Sequence, residues 1–346
     1  MASVLEHLAA LVAVDTTNPP RCPAAMTEVT SYCGEVLASS GFEVVHTDLG
    51  DGCRLLLATR GVSPILINCH LDTVPVCAGW TSPPHDLTIQ EGHAVALGAC
   101  DVKGSAAALL TAAQSSDAPA AILFSTDEEA GKSRCVRTFV ERGLPYEGVV
   151  VCEPTSCAAV SAHRGLVSVQ VEFEGSSSHA SGVSPRNAVH DAIQFCAAAL
   201  DLHASEFPEA RFTIGRIEGG IKPNMVAASA HVRFGLRPAI GDETNEQLAL
   251  IKSLIGESGT WTERFRGPEL APTPGAVDLA GVLGVPTADP VDFWTEASLF
   301  FDAGVPAVVF GPGSIEHAHA PNESVEISAL TMAVKAFERL FSGALV

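Results

Sequence analysis

Five places in this 346-residue chain put carboxylates or imidazoles directly after an apolar run. ILINC is followed by His70 and, two residues on, Asp72; VALGAC by Asp101; AILFS, after Thr126, by Asp127, Glu128 and Glu129; GVVVC by Glu153; and AVVFGPG leads to His317 and His319. A lone acid after a strand is usually a turn former or a helix cap, and a lone histidine is usually a satisfied or surface residue. Five such endings close to one another are a different matter, because their charges need partners. Two unit charges about 4 Å apart repel by roughly 4 kcal/mol at an effective dielectric of 20, so clustered carboxylates must protonate or recruit cations. Lys103 is the one basic side chain nearby, and divalent metal ions resolve the deficit directly.

One arrangement satisfies both charge and coordination. Two zinc ions share Asp101 as a bridge, with His70 and Glu153 on one ion and Glu129 and His319 on the other. The three carboxylates and an intervening hydroxide offset the four positive charges. Each ion then keeps an open position, the pattern of catalytic zinc. Asp72, on the same strand face as His70, is placed to accept the second imidazole N–H. Glu128 is left free to act as general base toward water.

The elements that must position these residues follow from the periodicity. Up to about residue 160, β-like runs alternate with helical patterns (PILIN, GSAAALLTAAQ, AAILFS, RCVRTFVERG, GVVVC), which predicts an α/β layer with a mostly parallel sheet. In such sheets the ligand crevice lies beyond the carboxyl ends of the strands, where the acids and histidines would gather. From about 164, LVSVQVEFEG, ARFTIGRIEGG and MVAASAHVRFGLRP alternate with period two around the helical stretch NAVHDAIQFCAAALDLHA, as antiparallel strands and a helix do. After the Pro- and Gly-rich RGPELAPTPG the α/β pattern resumes, ending in a helix from Ser328. The expected organisation is a catalytic domain over 1–163 and 269–346, interrupted by a smaller α+β domain over 164–268.

Composition narrows the class. With 47% hydrophobic residues the chain can bury a large core, and a formal net charge of −20 argues against nucleic-acid or anionic-membrane partners. The first fifteen residues read as an amphipathic helix with Glu6, His7 and Asp15, not as a secretory leader. No apolar stretch approaches the roughly 20 residues that span a bilayer. Ten cysteines without a CxxC pair read as reduced thiols, so a cytoplasmic location is expected. Cys69, Cys100 and Cys152 immediately precede site residues and, if in strands, face the opposite way as small buried groups.

HLDTVP, GACDVKG, TDEEAG, CEPT and HAHAPNE, in that order, resemble the M20 family of co-catalytic zinc metallopeptidases and deacylases. The resemblance implies His70, Asp101, Glu129, Glu153 and His319 as ligands of two zinc ions, for which cobalt can substitute, with Asp72 in support and Glu128 as acid and base. It also selects His319 over its neighbour His317, because the family's ligand stands just before Pro-Asn-Glu. The insert is similar to the family's lid and dimerisation domain. Gly175 to His179 resembles the segment whose histidine, His179, reaches the partner subunit's active site and steadies an oxyanion. GGIKPNM and FGLRP resemble the segments supplying Asn224 and Arg237, and Arg237 would hold a substrate carboxylate. Pro185 departs from the glycine often found there.

DTTNPPR, RGLPYEGVVVCEPT, AHRG, GGIKPNM and DFWTEASLF are most similar to the acetylornithine deacetylase branch, in particular to members acting on N-acetylcitrulline. This implies hydrolysis of an α-N-acetyl amino acid of arginine biosynthesis by a homodimer, with Lys222 as a candidate substrate contact and Glu296 either contacting the substrate or orienting its loop. A desuccinylase of succinyl-diaminopimelate or a dipeptidase on the same scaffold is the alternative, and an inactive metal-holding relative a further one.

Overall fold

The computed structural model describes residues 2–129, 132–182, 186–257 and 259–342. Pro185 lies outside them. The chain divides into two compact units, one made of Met1–Ala162, Leu270–Val291 and Thr295–Val346, the other of His163–Glu269 with Asp292–Trp294. The second unit is therefore one residue longer at each edge than the sequence boundaries of 164–268, and it also takes in the short segment 292–294.

Among the described residues the strands are β1 (Glu43–Asp48), β2 (Arg54–Arg60), β3 (Ile65–His70), β4 (Thr88–Gln90), β5 (His93–Val95), β6 (Ala120–Ser125), β7 (Gly148–Val151), β8 (Leu166–Glu174), β9 (Arg211–Gly219), β10 (Ser229–Arg237), β11 (Gly259–Gly267), β12 (Ala307–Val309) and β13 (Ser324–Glu326). The first unit is built on a six-stranded sheet in the order β1-β2-β6-β3-β7-β12. The pairs β6/β3, β3/β7 and β7/β12 are parallel. The edge pair β1/β2 and its junction with β6 are antiparallel, an edge the sequence periodicity had not revealed. β13, β5 and β4 form a small separate antiparallel sheet.

Every residue of β3, β6 and β7 is buried. Parallel strands covered on both faces read as continuous apolar runs, and ILINCH, AAILFS and GVVV are such runs. The covering helices include Val4–Val12, Lys103–Ser115 and Ile327–Ser342. The first starts at a capping box in which Ser3 and Glu6 satisfy each other's backbone N–H. In the second, Gly104 is required by close approach, since a Cβ there would sit 2.4 Å from the Ala99 carbonyl oxygen. The last presents Leu330, Ala333, Phe337 and Leu340 to the core at helical spacing.

The register of the parallel strands decides where the chemistry falls. His70 stands opposite Ser125, so β3 and β6 end level, while Val151 stands opposite Asn68, so β7 stops two residues short and the next residues, to Glu153, run on beside the end of β3. The residues that follow them are delivered to one edge of the sheet.

The second unit has a four-stranded antiparallel sheet, order β11-β8-β10-β9, backed by the helix Ala188–Glu206. Val167, Val169, Val171 and Phe173 of β8 alternate inward and pack with Phe195, Val232, Phe234 and Leu236 in a core of its own. That alternation is the period-two pattern of a sheet with one covered face.

Candidate metal centre

His70 is the last residue of β3 and is 2% exposed. Its Nδ1 lies 3.0 Å from the main-chain oxygen of Asp72. A carbonyl oxygen can only accept, so Nδ1 carries the proton, and the Nε2 of a neutral imidazole is left as a lone pair. That lone pair faces Asp101 Oδ1 at 3.2 Å and Glu153 Oε1 at 3.8 Å. With the imidazole neutral, three acceptors thus converge on one point. On the other side of Asp101, Oδ2 lies 3.2 Å from His319 Nε2, which is also 3.2 Å from Glu129 Oε1. His70, Asp101 and Glu153 form one group of converging ligand atoms and Asp101, Glu129 and His319 another, so Asp101 belongs to both.

The electrostatics show a deficit of positive charge. Burial and the Asp101 carboxylate push the Glu153 carboxyl well above the usual range. Burial likewise raises Glu129, against the pull of His319. The carboxylates facing His70 raise its imidazole well above its ordinary value, overcoming burial. Asp101 and Glu129 raise His319 to about 11. Glu153, Glu129 and the two imidazoles thus hold protons tightly, whereas His319 and His70 overcome burial and hold the Asp101 carboxyl well below the usual carboxylate range. Asp101 Oδ1 is buried and makes no hydrogen bond, so its lone pairs are free to face a metal ion. Two sets of three N and O donors, one carboxylate shared, fit a pair of divalent ions of the zinc type.

Glu128 sits beside these groups with its carboxyl raised well above the ordinary value, first by burial and then by the charges of Glu129, Glu296 and Asp72, with His70 opposing. His319 is the most open member, its side chain 49% exposed, and it adopts a left-handed backbone with φ 58°. Non-glycine residues pay for that conformation, and such outliers gather at functional sites. His317 is exposed and lines a different cavity of about 200 Å³ with His93, Cys157 and Glu326.

The structure refines three sequence readings. Asp72 faces His70 Nδ1 with two acceptors. The nearer acceptor is its main-chain oxygen, while the carboxylate stands at 3.5 Å from Nδ1. That carboxylate also receives the backbone N–H groups of Glu128 at 3.2 Å and Glu129 at 3.1 Å, and so fixes the loop that carries both glutamates. Asp101 does not end a strand of the main sheet. β5 stops at Val95, and Asp101 stands in the buried turn before the helix Lys103–Ser115. Glu296 is 1% exposed, and its Oε2 accepts from Asn68 Nδ2 at 2.9 Å and Ser125 Oγ at 3.3 Å, so the bonds it makes here are to strand residues.

The buried thiols keep the expected character. Cys69 and Cys152 pack in the core, and Cys100, in a turn and not a strand, donates to the Ser314 oxygen at 3.3 Å.

Two supporting acids had drawn no role from sequence reasoning. Glu323, 1% exposed, accepts the N–H groups of Cys100 at 2.8 Å and Asp101 at 2.9 Å through one oxygen and so holds the turn bearing Asp101. Its signal was its place at the end of HAHAPNE. Asp127 caps the helix Arg134–Val140 by accepting from Arg134 N at 2.6 Å and Cys135 N at 3.1 Å, where Ser133 makes no cap bond.

In the second unit, His179 and Asn224 lie on facing segments. A bridge pairs His179 with Met225, Ala180 N–H donates to the Asn224 oxygen at 3.0 Å, and Val226 N–H donates to the Ser178 oxygen at 2.9 Å. His179 is exposed, and its Nδ1 accepts the Ser181 N–H at 3.2 Å, which leaves the ring proton on Nε2. Arg237 ends β10 and donates to the Asp292 main-chain oxygen at 3.3 Å. Lys222 is exposed in the turn before Met225.

The sequence profile of Peptidase family M20/M25/M40 matches residues 66–342. The chain belongs to this family. It is 42% identical to the N-acetyl-L-citrulline deacetylase of Xanthomonas campestris pv. campestris over 99% of its own length and 98% of that protein's. Its fold is similar to that of an M20 family metallo-carboxypeptidase, Sso-CP2, from Sulfolobus solfataricus, with a TM-score of 0.82, 16% identity and 99% of each chain covered. It is similar also to the YXEP protein of Bacillus subtilis, described as a dinuclear metal binding peptidase of the M20 family, with a TM-score of 0.63, 14% identity and 91% of each chain covered.

Proposed function

We propose that this family member is a metal-dependent amidohydrolase that removes the acetyl group from an α-N-acetyl amino acid of arginine biosynthesis, N-acetyl-L-citrulline or N-acetyl-L-ornithine, and releases acetate. The observation that carries the chemistry is the Nε2 lone pair of His70 converging with Asp101 Oδ1 and Glu153 Oε1. The 42% identity to an N-acetyl-L-citrulline deacetylase supports the substrate class.

His70 and Glu153 would hold one zinc ion, Glu129 and His319 the other, and Asp101 both; cobalt would serve in the same N/O donor set. Bound there, the ions would polarise the acyl carbonyl and acidify water to near neutral pH. Glu128 is the acid and base. Its buried carboxyl binds a proton more tightly than an exposed glutamate, which suits a group that takes a proton from water and gives it to the departing amine. His179, protonated on Nε2, would donate to the oxyanion from the second subunit, Asn224 beside it would contact substrate, and Arg237 would bind the substrate carboxylate. Lys222 would disfavour a second ammonium and tolerate a neutral ureido group.

A homodimer through the second unit is supported by its surface. β9 is an edge strand, and Ile217 on it and Ile193 and Leu200 on the helix Ala188–Glu206 are each about half exposed. A cytoplasmic location is supported by ten free cysteines, among them the exposed Cys22 and Cys77.

The test is acetate release from N-acetyl-L-citrulline and N-acetyl-L-ornithine by zinc- or cobalt-loaded protein, with chelated protein as control. Release from either, lost on chelation, is expected. Release from neither, with turnover of dipeptides or of succinyl-diaminopimelate, would move the chain to another branch of the family.

A further inference from the structure

The sequence DTTNPPR found no task in the site as first drawn. In the structure its asparagine is 2% exposed and stands against the catalytic edge of β3. Residues 16–18 run beside residues 71–73: Thr16 Oγ1 donates to the Leu71 oxygen at 2.7 Å, Thr73 N–H to the Thr16 oxygen at 3.1 Å, and Asn18 N–H to the Thr73 oxygen at 2.8 Å. With its backbone so pinned, Asn18 directs its Nδ2 to Asp72 Oδ2 at 2.8 Å, the shortest of the hydrogen bonds made to that carboxylate by the described residues.

We propose that Asn18 is a positioning residue for the metal centre: its amide holds the Asp72 carboxylate in the orientation in which Oδ1 receives the Glu128 N–H and Oδ2 the Glu129 N–H. The inference rests on the reading of His70 and Glu129 as ligands and Glu128 as acid and base.

The acceptor inventory supports it. Asp72 is wholly buried, and among the described residues its carboxylate is held by three neutral N–H groups, the Asn18 amide being the closest. A competitor stands close by, the His70 Nδ1–H, 3.5 Å from Oδ1 and bonded to the Asp72 main-chain oxygen at 3.0 Å. Without the amide, Oδ2 loses its closest donor and the carboxylate is free to turn toward His70. That turn would release the Glu129 N–H and compete with the contact that fixes the His70 tautomer. Both proposed ions would feel it, one through His70 and the other through Glu129. A neutral amide suits the position, because a lysine or arginine would neutralise the carboxylate and an acid would repel it.

The experiment uses full-length chelated protein and variants Asn18→Ala and Asn18→Asp. Cobalt is titrated in and followed by its visible d–d absorption, and kcat and KM are measured on N-acetyl-L-citrulline. Groups that support ligands from behind typically contribute about 10–100-fold to metal affinity or activity. The expected result is cobalt binding weakened by about 10–100-fold in Asn18→Ala, more in Asn18→Asp, with a changed absorption envelope. The fall should appear in kcat with KM changed less than about threefold. A purely structural asparagine would lower the unfolding midpoint and leave the spectrum and affinity of the folded protein as in the wild type, and that result overturns the inference alone. A wild type that takes up no cobalt overturns the metal reading and the inference together. Should Asn18→Ala not fold, Asn18→Ser, whose hydroxyl falls short of Asp72, is measured in its place against the same two criteria.

Discussion

Replacing Glu296 by Gln should stabilise the metal-free protein increasingly as pH rises from about 4.5 through about 7. Glu296 is buried, one of its oxygens is occupied by Asn68 Nδ2 and Ser125 Oγ, and the other, Oε1, has no hydrogen-bond partner. The Oδ1 of the same Asn68 is also buried without a partner. Burial, then the charge of Asp127, raises this carboxyl from its ordinary 4.5 to about 7. The folded chain therefore binds the proton more tightly than the unfolded chain does. Stability is highest below about 4.5, falls as pH rises and levels off above about 7, where both states have lost the proton. At about 1.4 kcal/mol per pH unit, the full loss is about 3 kcal/mol. A glutamine has no charge to lose and offers its amide nitrogen to Asn68 Oδ1 while its oxygen keeps Asn68 Nδ2. Glu296→Gln and wild type should accordingly have similar stability near pH 4.5 and differ by up to about 3 kcal/mol, in favour of the variant, at pH 8. Urea unfolding of chelated protein, followed by hydrogen exchange of β3 and β6 amides, reads the difference. A difference flat between pH 5 and 8, or a variant less stable at pH 8, would refute the reasoning. KM for N-acetyl-L-citrulline should stay within about twofold, because the side chain is buried and bonded to Asn68 and Ser125.

Glu128→Gln should lower kcat by about 10²–10⁴-fold while metal content by mass spectrometry is unchanged; loss of metal instead would mean that the duties of Glu128 and Glu129 are exchanged. His179→Ala should cost about 10²–10³-fold in kcat at unchanged metal content, the usual effect of losing an oxyanion donor, and an unchanged kcat would remove that role. Arg237→Gln should raise KM at least tenfold for substrates with a free α-carboxylate and leave their carboxamides nearly unaffected; equal effects on both would show that the guanidinium serves only its contact with the Asp292 oxygen.

His70 and Glu153 were legible in the sequence because each ends or follows a continuous apolar run, and adjacent parallel strands carry such residues to one edge. The second unit was legible in the alternation of β8, β9 and β10. What escaped has a common physical cause: it depends on contacts between residues far apart in the chain. Asp101 looked like a strand end, yet its place is set by Glu323, which accepts its N–H from more than two hundred residues away. Asp72 was legible as a partner of His70 two residues back, but the bonds its carboxylate makes to the backbone of Glu128 and Glu129 and to Asn18 were not. For Glu296, nothing in DFWTEASLF tells that its bonds go to Asn68 and Ser125. Residue type and local period show which side chains can do chemistry; the layer that aims them is written in tertiary hydrogen bonds.

The central claim is a pair of ions sharing Asp101, and counting ions in wild type and in Asp101→Asn tests it most directly. Native mass spectrometry of zinc-loaded wild type should show two ions per chain, and Asp101→Asn, folded by circular dichroism, should lose tight binding at both positions. A wild type that holds a single ion, or an Asp101→Asn variant that keeps one at wild-type affinity, would contradict the shared bridge.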